Sequence, residues 1–351
     1  MTPPVRIVIV GCGDMARQWA RVCVQSSLIE VVGLTDLQRD RAQALADEAG
    51  LPQHLVFDSL DQALQQARPE AVFDVAVPQA HYDITMAALG AGCHVLGEKP
   101  LADTIERARL MVQAAENASL IFAVTQTRRA VSAAQSVAQT LRDGVVGTVH
   151  EVHCDFFCGP HFGGFREVME SPLLLDMAIH SFDHGRLFAD ADPVRVYCCT
   201  SNPGHSWFVG DASATAIFEM RASDGRKVVF TYRGSWCAHG QGTSWNGCWR
   251  CLGTRGEVTW DGEDDIAAKR VPENHEPAFI VDLEPAQATQ ISLAYEGHEQ
   301  MILEFARAVD AHRRGETAPV MCPASDNIKS LAMVLSAVQS AKENRSVEVV
   351  W

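Results

Sequence analysis

Basic residues are few in this sequence of 351 residues. It contains 29 Lys and Arg residues against 44 Asp and Glu residues, and its formal net charge is −15. Nonspecific binding to nucleic acid or to an anionic membrane surface depends on an excess of Lys and Arg. The acidic balance therefore argues against both of these partners and favours a small-molecule ligand.

Long hydrophobic runs are also missing. The apolar runs are of strand length and are interrupted by Asp, Arg or Gly, so none reaches the roughly 18 uncharged residues of a membrane-spanning helix. The first ten residues hold one Arg and a short apolar run that Gly11 interrupts, and no signal-peptide cleavage site follows. We therefore expect a cytoplasmic protein with no membrane partner.

The 11 cysteines do not form the even, regularly spaced set of a disulfide framework. Their scatter along the chain is typical of reduced thiols in a reducing compartment. Cys248 and Cys251 form a CxxC pair, but a structural zinc site needs four ligands and no second pair lies at a suitable spacing. We therefore expect no metal site and interpret this pair as part of a strand.

The length predicts about two domains, and the pattern of apolar residues changes along the chain. Up to about residue 125, strand-length apolar runs alternate with helical patterns, and one of these runs lies near Val56. Strands that alternate with helices indicate a parallel, doubly wound sheet of the α/β class.

Beyond about residue 145, strand-like runs follow one another with a single helical segment near 174–188. This pattern indicates an antiparallel sheet. Two helical patterns, 298–314 and 324–342, close the chain. We predict a first domain over 1–125 and an α+β domain over 126–351, whose last helix is able to pack back on the first domain.

A glycine motif at Gly11 and Gly13 follows the first predicted strand, and Asp14 and Met15 open a helix. In a dinucleotide-binding turn the first Gly permits the tight bend, and the second lets the backbone approach a pyrophosphate at the helix N-terminus. Asp36, at the end of the second predicted strand, lies where an acid holds the ribose hydroxyls. The motif therefore predicts a Rossmann domain; a plain glycine turn with an acidic helix cap is the alternative.

Asp36 also predicts which nicotinamide cofactor binds. Its carboxylate accepts hydrogen bonds from a ribose 2′,3′-diol but repels a 2′-phosphate, which favours NAD over NADP. Arg39 and Arg41 follow closely, and either would reach a phosphate if the loop turned inward. NADP therefore stays open as an alternative.

Two further groups are suited to act on a substrate. Glu98-Lys99-Pro100 follows the strand near residue 95, at the sheet edge where open α/β sheets bind ligands; a surface turn is the alternative. Asp176 and His180 are spaced i, i+4 in a predicted helix, which puts them on one face. An imidazole beside a carboxylate suits proton transfer near neutral pH, whereas a capping Asp with a core His is the structural alternative.

Together these elements resemble the Gfo/Idh/MocA oxidoreductase family, named for glucose-fructose oxidoreductase and inositol dehydrogenase. The resemblance covers most of the chain and rests on five features in the family's order: the glycine motif, Val77-Pro78 with His81, Glu98-Lys99-Pro100, Arg128-Arg129 and the Asp176/His180 helix. It implies a Rossmann domain for NAD(P) and an open-faced, mainly antiparallel sheet that supplies the substrate site and the contacts of a homodimer or homotetramer. It also implies a cis peptide bond before Pro100.

The resemblance implies hydride transfer between nicotinamide and a secondary alcohol of a sugar, polyol or related small polar molecule. His180 would take the hydroxyl proton, Lys99 would hydrogen-bond the reacting oxygen, and Asp176 would orient the substrate and His180. Arg166 would contact the substrate, and either Lys99 or His180 would be the formal base. The expected cofactor contacts are Gly11, Gly13, Asp14, Met15, Asp36, Pro78, His81, Glu98, Lys99 and Gln126.

Two departures from the family pattern keep the substrate itself open. Gln79 stands where the family often has Asn, and Glu170-Ser171-Pro172 replaces a Gly-rich run beside the substrate pocket. The alternatives are an NAD-dependent glycoside-cleaving enzyme of the same family and a non-catalytic NAD(P)-sensing protein. The sequence does not decide between a substrate contact and a purely structural role for two groups of residues. These are the loop 158–166 and the tryptophans Trp207, Trp236, Trp245 and Trp249.

Overall fold

The computed structural model describes residues 3–276 and 278–351. Met1, Thr2 and Pro277 lie outside the described residues. Met1 and Thr2 are the first two residues of the N-terminal segment in which we expect no export signal. The chain forms two compact units, one of Met1–Ala130 with Ala294–Ile328 and one of Val131–Leu293 with Lys329–Trp351. Within the described ranges, no helix has the length and apolar character needed to cross a membrane.

The strands and helices are labelled in chain order. The strands are β1 (Val5–Val10), β2 (Ile29–Thr35), β3 (Ala71–Asp74), β4 (His94–Gly97), β5 (Phe122–Val124), β6 (Val149–Phe157), β7 (Ala191–Ser201), β8 (Ser213–Ala222), β9 (Lys227–Ser235), β10 (Cys248–Gly253), β11 (Gly256–Trp260), β12 (Ile266–Arg270), β13 (Glu284–Ala286) and β14 (Val347–Glu348). The helices are α1 (Asp14–Gln25), α2 (Arg39–Ala49), α3 (Leu60–Ala67), α4 (His81–Gly90), α5 (Ile105–Ala118), α6 (Ser132–Arg142), α7 (Ile179–Ala189), α8 (Gly297–Arg313) and α9 (Ala324–Glu343).

The first unit is built on a five-stranded sheet in the order β2-β1-β3-β4-β5, in which every pairing is parallel. Its inner strands are buried because they are almost continuously apolar, as parallel strands covered on both faces are. The chain order changes direction between β1 and β3. A crevice therefore opens at the carboxyl ends of these two strands, where doubly wound sheets bind ligands.

The run near Val56 is not a strand of this sheet, so that prediction was wrong. Pro52 precedes a short 3₁₀ turn, Gln53–Leu55, and Val56 makes only an isolated bridge to Leu34. Proline lacks a backbone donor and restricts its neighbours, which favours the turn over a longer ladder.

Helix α8 belongs to the first unit, although the predicted boundary assigned everything after residue 125 to the second domain. Ile302, Phe305 and Val309 recur at helical spacing and fill the core beside the parallel sheet. Phe305 lies edge-on to Phe73 of β3, which in turn packs against Trp19 of α1, with ring centroids 5.8 and 5.4 Å apart. The apolar face of α8 thus completes the core of the first unit. The sequence of the helix alone does not specify which of the two cores it joins.

The second unit contains a nine-stranded sheet in the order β13-β12-β11-β10-β6-β9-β8-β7-β14. Among the described strands of this second sheet, only β6 and β9 pair in parallel. Helix α7 covers one face, where Phe182 packs against Phe218 and Tyr232 at centroid distances of 4.8 and 5.2 Å. Tyr197 and Ile217 are exposed on the strands. The predicted two-part α/β fold with a mainly antiparallel second sheet is confirmed.

The helix predicted near 174–188 is present, but it begins as a π-helical turn, Leu173–Ala178, and continues as α7. A π turn closes i→i+5 hydrogen bonds and is wider than an α-helix. Asp176 lies in this turn and His180 lies in α7. The simple α-helical spacing assumed for the two residues therefore needs correction.

We expect Gly185→Ala to destabilise the protein by about 1–3 kcal/mol, because overpacking a filled core forces side chains to move. A Cβ at Gly185 in α7 would come within 2.7 Å of the Phe230 ring. The matched control is Gly90→Ala at the end of α4, where a Cβ meets nothing within 4 Å. Since alanine also restricts the unfolded chain, this control should be neutral or more stable by about 0.4–1 kcal/mol.

The midpoints of urea unfolding, followed by circular dichroism, measure both effects. A Gly185→Ala midpoint equal to that of the wild type would show that Phe230 moves aside at no cost.

Candidate active site

The turn between β1 and α1 has the geometry of an anion-binding loop. Gly11 has φ +86°, and a Cβ there would lie 2.7 Å from the backbone of Ala76, so only glycine fits. Gly13 is the N-cap residue of α1, and no side chain among the described residues caps the helix there. A Cβ at Gly13 would meet nothing within 4 Å. The backbone N–H groups and the positive end of α1 are therefore accessible to a phosphate.

The carboxylate of Asp36 is fixed against this turn. Its Oδ2 accepts a hydrogen bond from the backbone N–H of Cys12, and its Oδ1 accepts one from that of Gln38, both at 2.8 Å. A carboxylate has about four lone-pair sites, so it retains acceptors for further donors. Asp36 is thus held at the carboxyl end of β2 with capacity for a pair of hydroxyls.

Arg39 and Arg41 are the two arginines considered for a 2′-phosphate. Arg39, which is nearer to Asp36 in sequence, forms its contacts with other residues. Its guanidinium pairs with Asp58 and also donates to the carbonyl oxygen of Val56 at 3.4 Å. Arg41 is exposed on α2. The structure therefore gives Arg39 an anionic partner of its own.

Glu98, at the end of β4, connects three parts of the first unit. Its Oε1 accepts hydrogen bonds from Trp19 Nε1 of α1 at 3.2 Å and from His298 Nε2 of α8 at 2.9 Å. Its Oε2 accepts a hydrogen bond from the backbone N–H of Lys99 at 3.1 Å. Burial by itself raises the pKa of this carboxyl, but the hydrogen bond and charge of His298 and the charge of Lys99 hold the pKa below its ordinary value.

Lys99 follows directly and is half-buried. The cis peptide bond expected between Lys99 and Pro100 is present. The motif thus places a lysine at the carboxyl edge of the parallel sheet, with its backbone N–H held by the side chain of Glu98.

His81 lies deeper than the prediction of a cofactor contact implied. It is buried at the start of α4, and its Nδ1 lies 2.9 Å from Oδ2 of Asp74, the last residue of β3. Asp74 Oδ1 also accepts a hydrogen bond from the N–H of Ala76 at 3.2 Å. The pair therefore fixes the turn that contains Pro78, next to the glycine loop.

The other residues predicted to contact the cofactor follow the ends of strands in the first unit. Asp14 and Met15 occupy the first turn of α1; Met15 is exposed, and Asp14 pairs with Arg17 at 2.9 Å. Gln126 is buried just after β5, where its backbone N–H donates to the carbonyl oxygen of Val124 at 2.9 Å.

The sequence analysis missed Trp19, Asp74 and His298. In the sequence, Trp19 is one of the apolar residues of a helical pattern, which gives no sign of a polar contact. An acid at the end of a buried strand is a detectable signal for Asp74. His298 lies 200 residues from Glu98 along the chain. No local pattern links these two residues.

In the second unit, Asp176 forms an ion pair with Arg166. Arg166 Nε donates to Asp176 Oδ2 at 2.7 Å, and the Asp176 side chain is only 12% exposed. The structure thus joins two residues that were predicted separately to contact the substrate. His180 is 8% exposed in α7.

The neighbouring residues Asp183 and His184 belong to the core. Asp183 accepts a hydrogen bond from Ser330 Oγ at 2.7 Å, and His184 stacks on Phe188 with ring centroids 5.2 Å apart. Both side chains are buried. They therefore stabilise the packing of α7.

The CxxC pair lies in strand β10, as predicted. Because side chains alternate along a strand, Cys248 and Cys251 point to opposite faces of the sheet. All 11 cysteines are free, and in the described part of the chain no group of three or more His, Cys, Asp or Glu residues is arranged to hold a metal ion. Burial raises the pKa of Cys251 to about 12.

Comparison with known protein families gives two matches. A model described as an oxidoreductase family with an NAD-binding Rossmann fold matches residues 5–126. A second model, the GFO/IDH/MocA C-terminal domain, matches residues 134–259. The two matches together span most of both units.

Several curated proteins are similar to this chain. The uncharacterized protein y4oX of Sinorhizobium fredii is 26% identical over 98% of this chain and 95% of its own length. The D-apiose dehydrogenase of Paraburkholderia graminis is 26% identical over 97% of this chain and 88% of its own length. The D-glucoside 3-dehydrogenase of Escherichia coli is 32% identical, but that match covers 51% of this chain and 52% of the relative.

Among solved structures, an oxidoreductase from Agrobacterium radiobacter in complex with NAD⁺, L-tartaric acid and magnesium is similar in fold. Its TM-score is 0.81 with 18% sequence identity, and the match covers 99% of each chain. This likeness concerns the arrangement of strands and helices.

Replacing Glu98 with Gln keeps the size of the side chain and removes its charge. At pH 7 we expect this variant to be less stable by about 1–3 kcal/mol, the cost of weakening hydrogen bonds to a buried charged group. Because the pKa of Glu98 is lowered in the folded state, its stabilisation is present above the ordinary pKa of 4.5 and is lost as the pH falls through the folded-state pKa. The difference in stability should therefore shrink in acid.

Urea unfolding at pH 7 and at pH 3.5 measures this change. The control is Glu299→Gln, an exposed position in α8, for which we expect a change within about 0.5 kcal/mol. An equal loss of stability for Glu98→Gln at both pH values would contradict a role for the ionised carboxylate.

Proposed function

Because the chain belongs to the Gfo/Idh/MocA oxidoreductase family, we propose that it transfers a hydride between NAD and a secondary alcohol of a sugar, polyol or related small polar substrate. The observation that carries the proposal is the joining of the glycine turn to Asp36 through the N–H of Cys12. Relatives named as sugar dehydrogenases support the substrate class.

The residues of the first unit fit a dinucleotide. The open backbone at Gly13 and the uncapped start of α1 suit a pyrophosphate, and the remaining acceptors of Asp36 suit the adenosine ribose. When bound, NAD supplies the nicotinamide ring that exchanges the hydride. We also propose that eight further residues contribute to this binding: Gly11, Asp14, Met15, Pro78, His81, Glu98, Lys99 and Gln126. His81 and Glu98 contribute by fixing the turns in which they lie.

The proposed work of the protein side chains is to hold the substrate and move its hydroxyl proton. Lys99 donates a hydrogen bond to the reacting oxygen and stabilises its developing negative charge. His180 accepts the hydroxyl proton, as a positioned imidazole does in general base catalysis. The Arg166–Asp176 ion pair presents fixed charges to the other hydroxyls of the substrate. Either Lys99 or His180 serves as the formal base.

A panel of sugars and polyols incubated with NAD, followed by the absorbance of NADH, tests this function. We expect NADH to form with a subset of the panel. Release of an aglycone without net NADH would instead indicate the glycoside-cleaving alternative. Binding of NAD without turnover of any sugar or polyol would contradict the proposal and favour a sensing protein.

We also propose a homodimer or homotetramer that forms through the exposed face of the nine-stranded sheet, where Tyr197 and Ile217 contact solvent. Exposed apolar side chains on a sheet face favour association with another surface. The 11 free cysteines support a reducing compartment such as the cytoplasm. The net charge of −15 argues against nucleic acid as a partner.

We expect the protein to bind NAD more tightly than NADP by about 1–3 kcal/mol, the cost of leaving the 2′-phosphate poorly paired against the Asp36 carboxylate. Asp36→Ala should narrow this difference, whereas Asp40→Ala, an exposed position in α2, should leave it unchanged. Calorimetric titration with both cofactors measures the affinities. Equal or tighter binding of NADP by the wild type would show that Arg39 or Arg41 leaves its present position to meet the phosphate.

Replacing Lys99 with Met should lower kcat by about 10²–10³-fold and weaken the binding of the cofactor much less. The reason is that a donor aimed at the developing charge acts on the transition state. Lys269→Met, an exposed position on β12, is the matched control and should keep full activity. Fluorescence titration with NADH and steady-state rates separate the two quantities. Substantial turnover by Lys99→Met would remove Lys99 from the mechanism.

A further inference from the structure

Three loops of the second unit begin at the same end of the inner strands β6, β9, β8 and β7. Ser201, Ser213, Ser235 and Phe157 are neighbours in the strand register, so the segments that continue from these residues start side by side. Two contacts join these segments: the backbone N–H of Ala238 donates to the carbonyl oxygen of Cys158 at 3.1 Å, and His205 Nε2 lies 2.9 Å from the carbonyl oxygen of Cys237. The sequence did not decide whether the loop 158–166 contacts the substrate or is a plain surface loop. In the structure it forms one side of a cluster made by these three loops.

This cluster exposes three large aromatic side chains, Phe162, Phe165 and Trp245, which we call the aromatic patch. They are 57%, 62% and 45% exposed. The ring centroids of Phe162 and Trp245 lie 6.1 Å apart with a tilt of 42°. Large apolar groups that face water side by side mark a binding surface more often than scattered single ones do.

The patch has a rigid base. Phe162 lies 6.0 Å from the ring of Trp236, which is fully buried and stacks on Phe208 at 5.4 Å. The four tryptophans whose role the sequence did not decide thus differ in their surroundings. Trp236 and Trp249 belong to the core, Trp245 belongs to the patch, and Trp207 is half-buried beside it. The exposed rings are thus supported from below by packed aromatic residues.

Arg166 links the patch to Asp176. Its guanidinium carbon lies 4.6 Å from the ring centroid of Phe165 and 5.6 Å from that of Phe162. The Nε of the same guanidinium donates to Asp176 at 2.7 Å. A molecule held at Asp176 therefore has the aromatic patch one side chain away.

Trp207 supplies a second observation. Its indole stacks on His161 with centroids 3.5 Å apart, and its Nε1–H is buried with no acceptor in the described part of the chain. A buried donor without a partner is unfavourable, and most such donors in proteins find one. A ligand oxygen at this end of the sheet would satisfy it.

We propose that the aromatic patch binds an aryl group carried by the sugar substrate, so that the preferred substrates are aryl glycosides. This inference rests on the proposed function. A bare sugar ring presents hydroxyls on most of its edge and needs donors and acceptors, whereas Phe162 and Phe165 offer only ring faces and edges. An aromatic substituent packs against such rings at centroid distances of about 4.5–7 Å, a range that includes the 6.1 Å between Phe162 and Trp245.

The test compares kcat/KM for the methyl and phenyl glycosides of the same sugar, in both anomers, with NAD. The wild type should prefer the phenyl glycoside by about tenfold or more. Phe162→Ala and Trp245→Ala should each lose most of this preference while their rates with the methyl glycoside stay within about twofold of wild type. Leu110→Ala, an exposed apolar residue on α5, is the control and should keep the preference.

Equal use of both glycosides by the wild type would overturn the proposal and leave the proposed function intact. If neither glycoside is oxidised, the proposed function is refuted, and calorimetric titration with the phenyl glycoside tests the aromatic patch separately. Binding that is weakened by Phe162→Ala would support the patch as an aryl-binding surface. Absence of binding would overturn the proposal. A change of oligomeric state in Phe162→Ala, with the preference for phenyl unchanged, would show that a second copy of the chain covers the patch and would also overturn the proposal.

Discussion

The carboxylate of Glu98 is the interaction on which the candidate site of the first unit depends. It receives hydrogen bonds from α1, from α8 and from the backbone of Lys99. A buried charge is stable only when its partners are complete, because each lost donor leaves a desolvated acceptor. The same requirement fixes the direction in which the chain leaves β4. The lysine at the sheet edge is thus oriented by a core interaction.

The glycine turn obeys a similar constraint. Ala76 lies so close to Gly11 that a side chain has no room, and the buried Asp74–His81 pair holds the segment that carries Ala76. Two neighbouring turns at the carboxyl ends of β1 and β3 therefore support each other through backbone contacts. Asp36 adds a third element, since its carboxylate bridges from the end of β2 to the same turn.

Local pattern was sufficient to predict much of this molecule. The alternation of strands and helices, the glycine motif and Asp36 depend on near neighbours in sequence, and all three lie where they were expected apart from the run near Val56, which is not a strand. His298 and the membership of α8 in the first unit depend on contacts across about 200 residues, which no window of sequence contains. The π turn at Asp176 was missed for another reason, because its apolar spacing is close to that of an α-helix.

The path of the chain through the two units has a consequence for its synthesis. The first unit ends its N-terminal segment at Ala130 and receives α8 only after residue 294, and the second unit is completed by Lys329–Trp351. Domains of most proteins fold in order as they leave the ribosome. Here neither core can close until nearly the whole chain has emerged, so a nascent chain halted at residue 293 would expose the apolar surface that Ile302 and Phe305 cover in the finished protein.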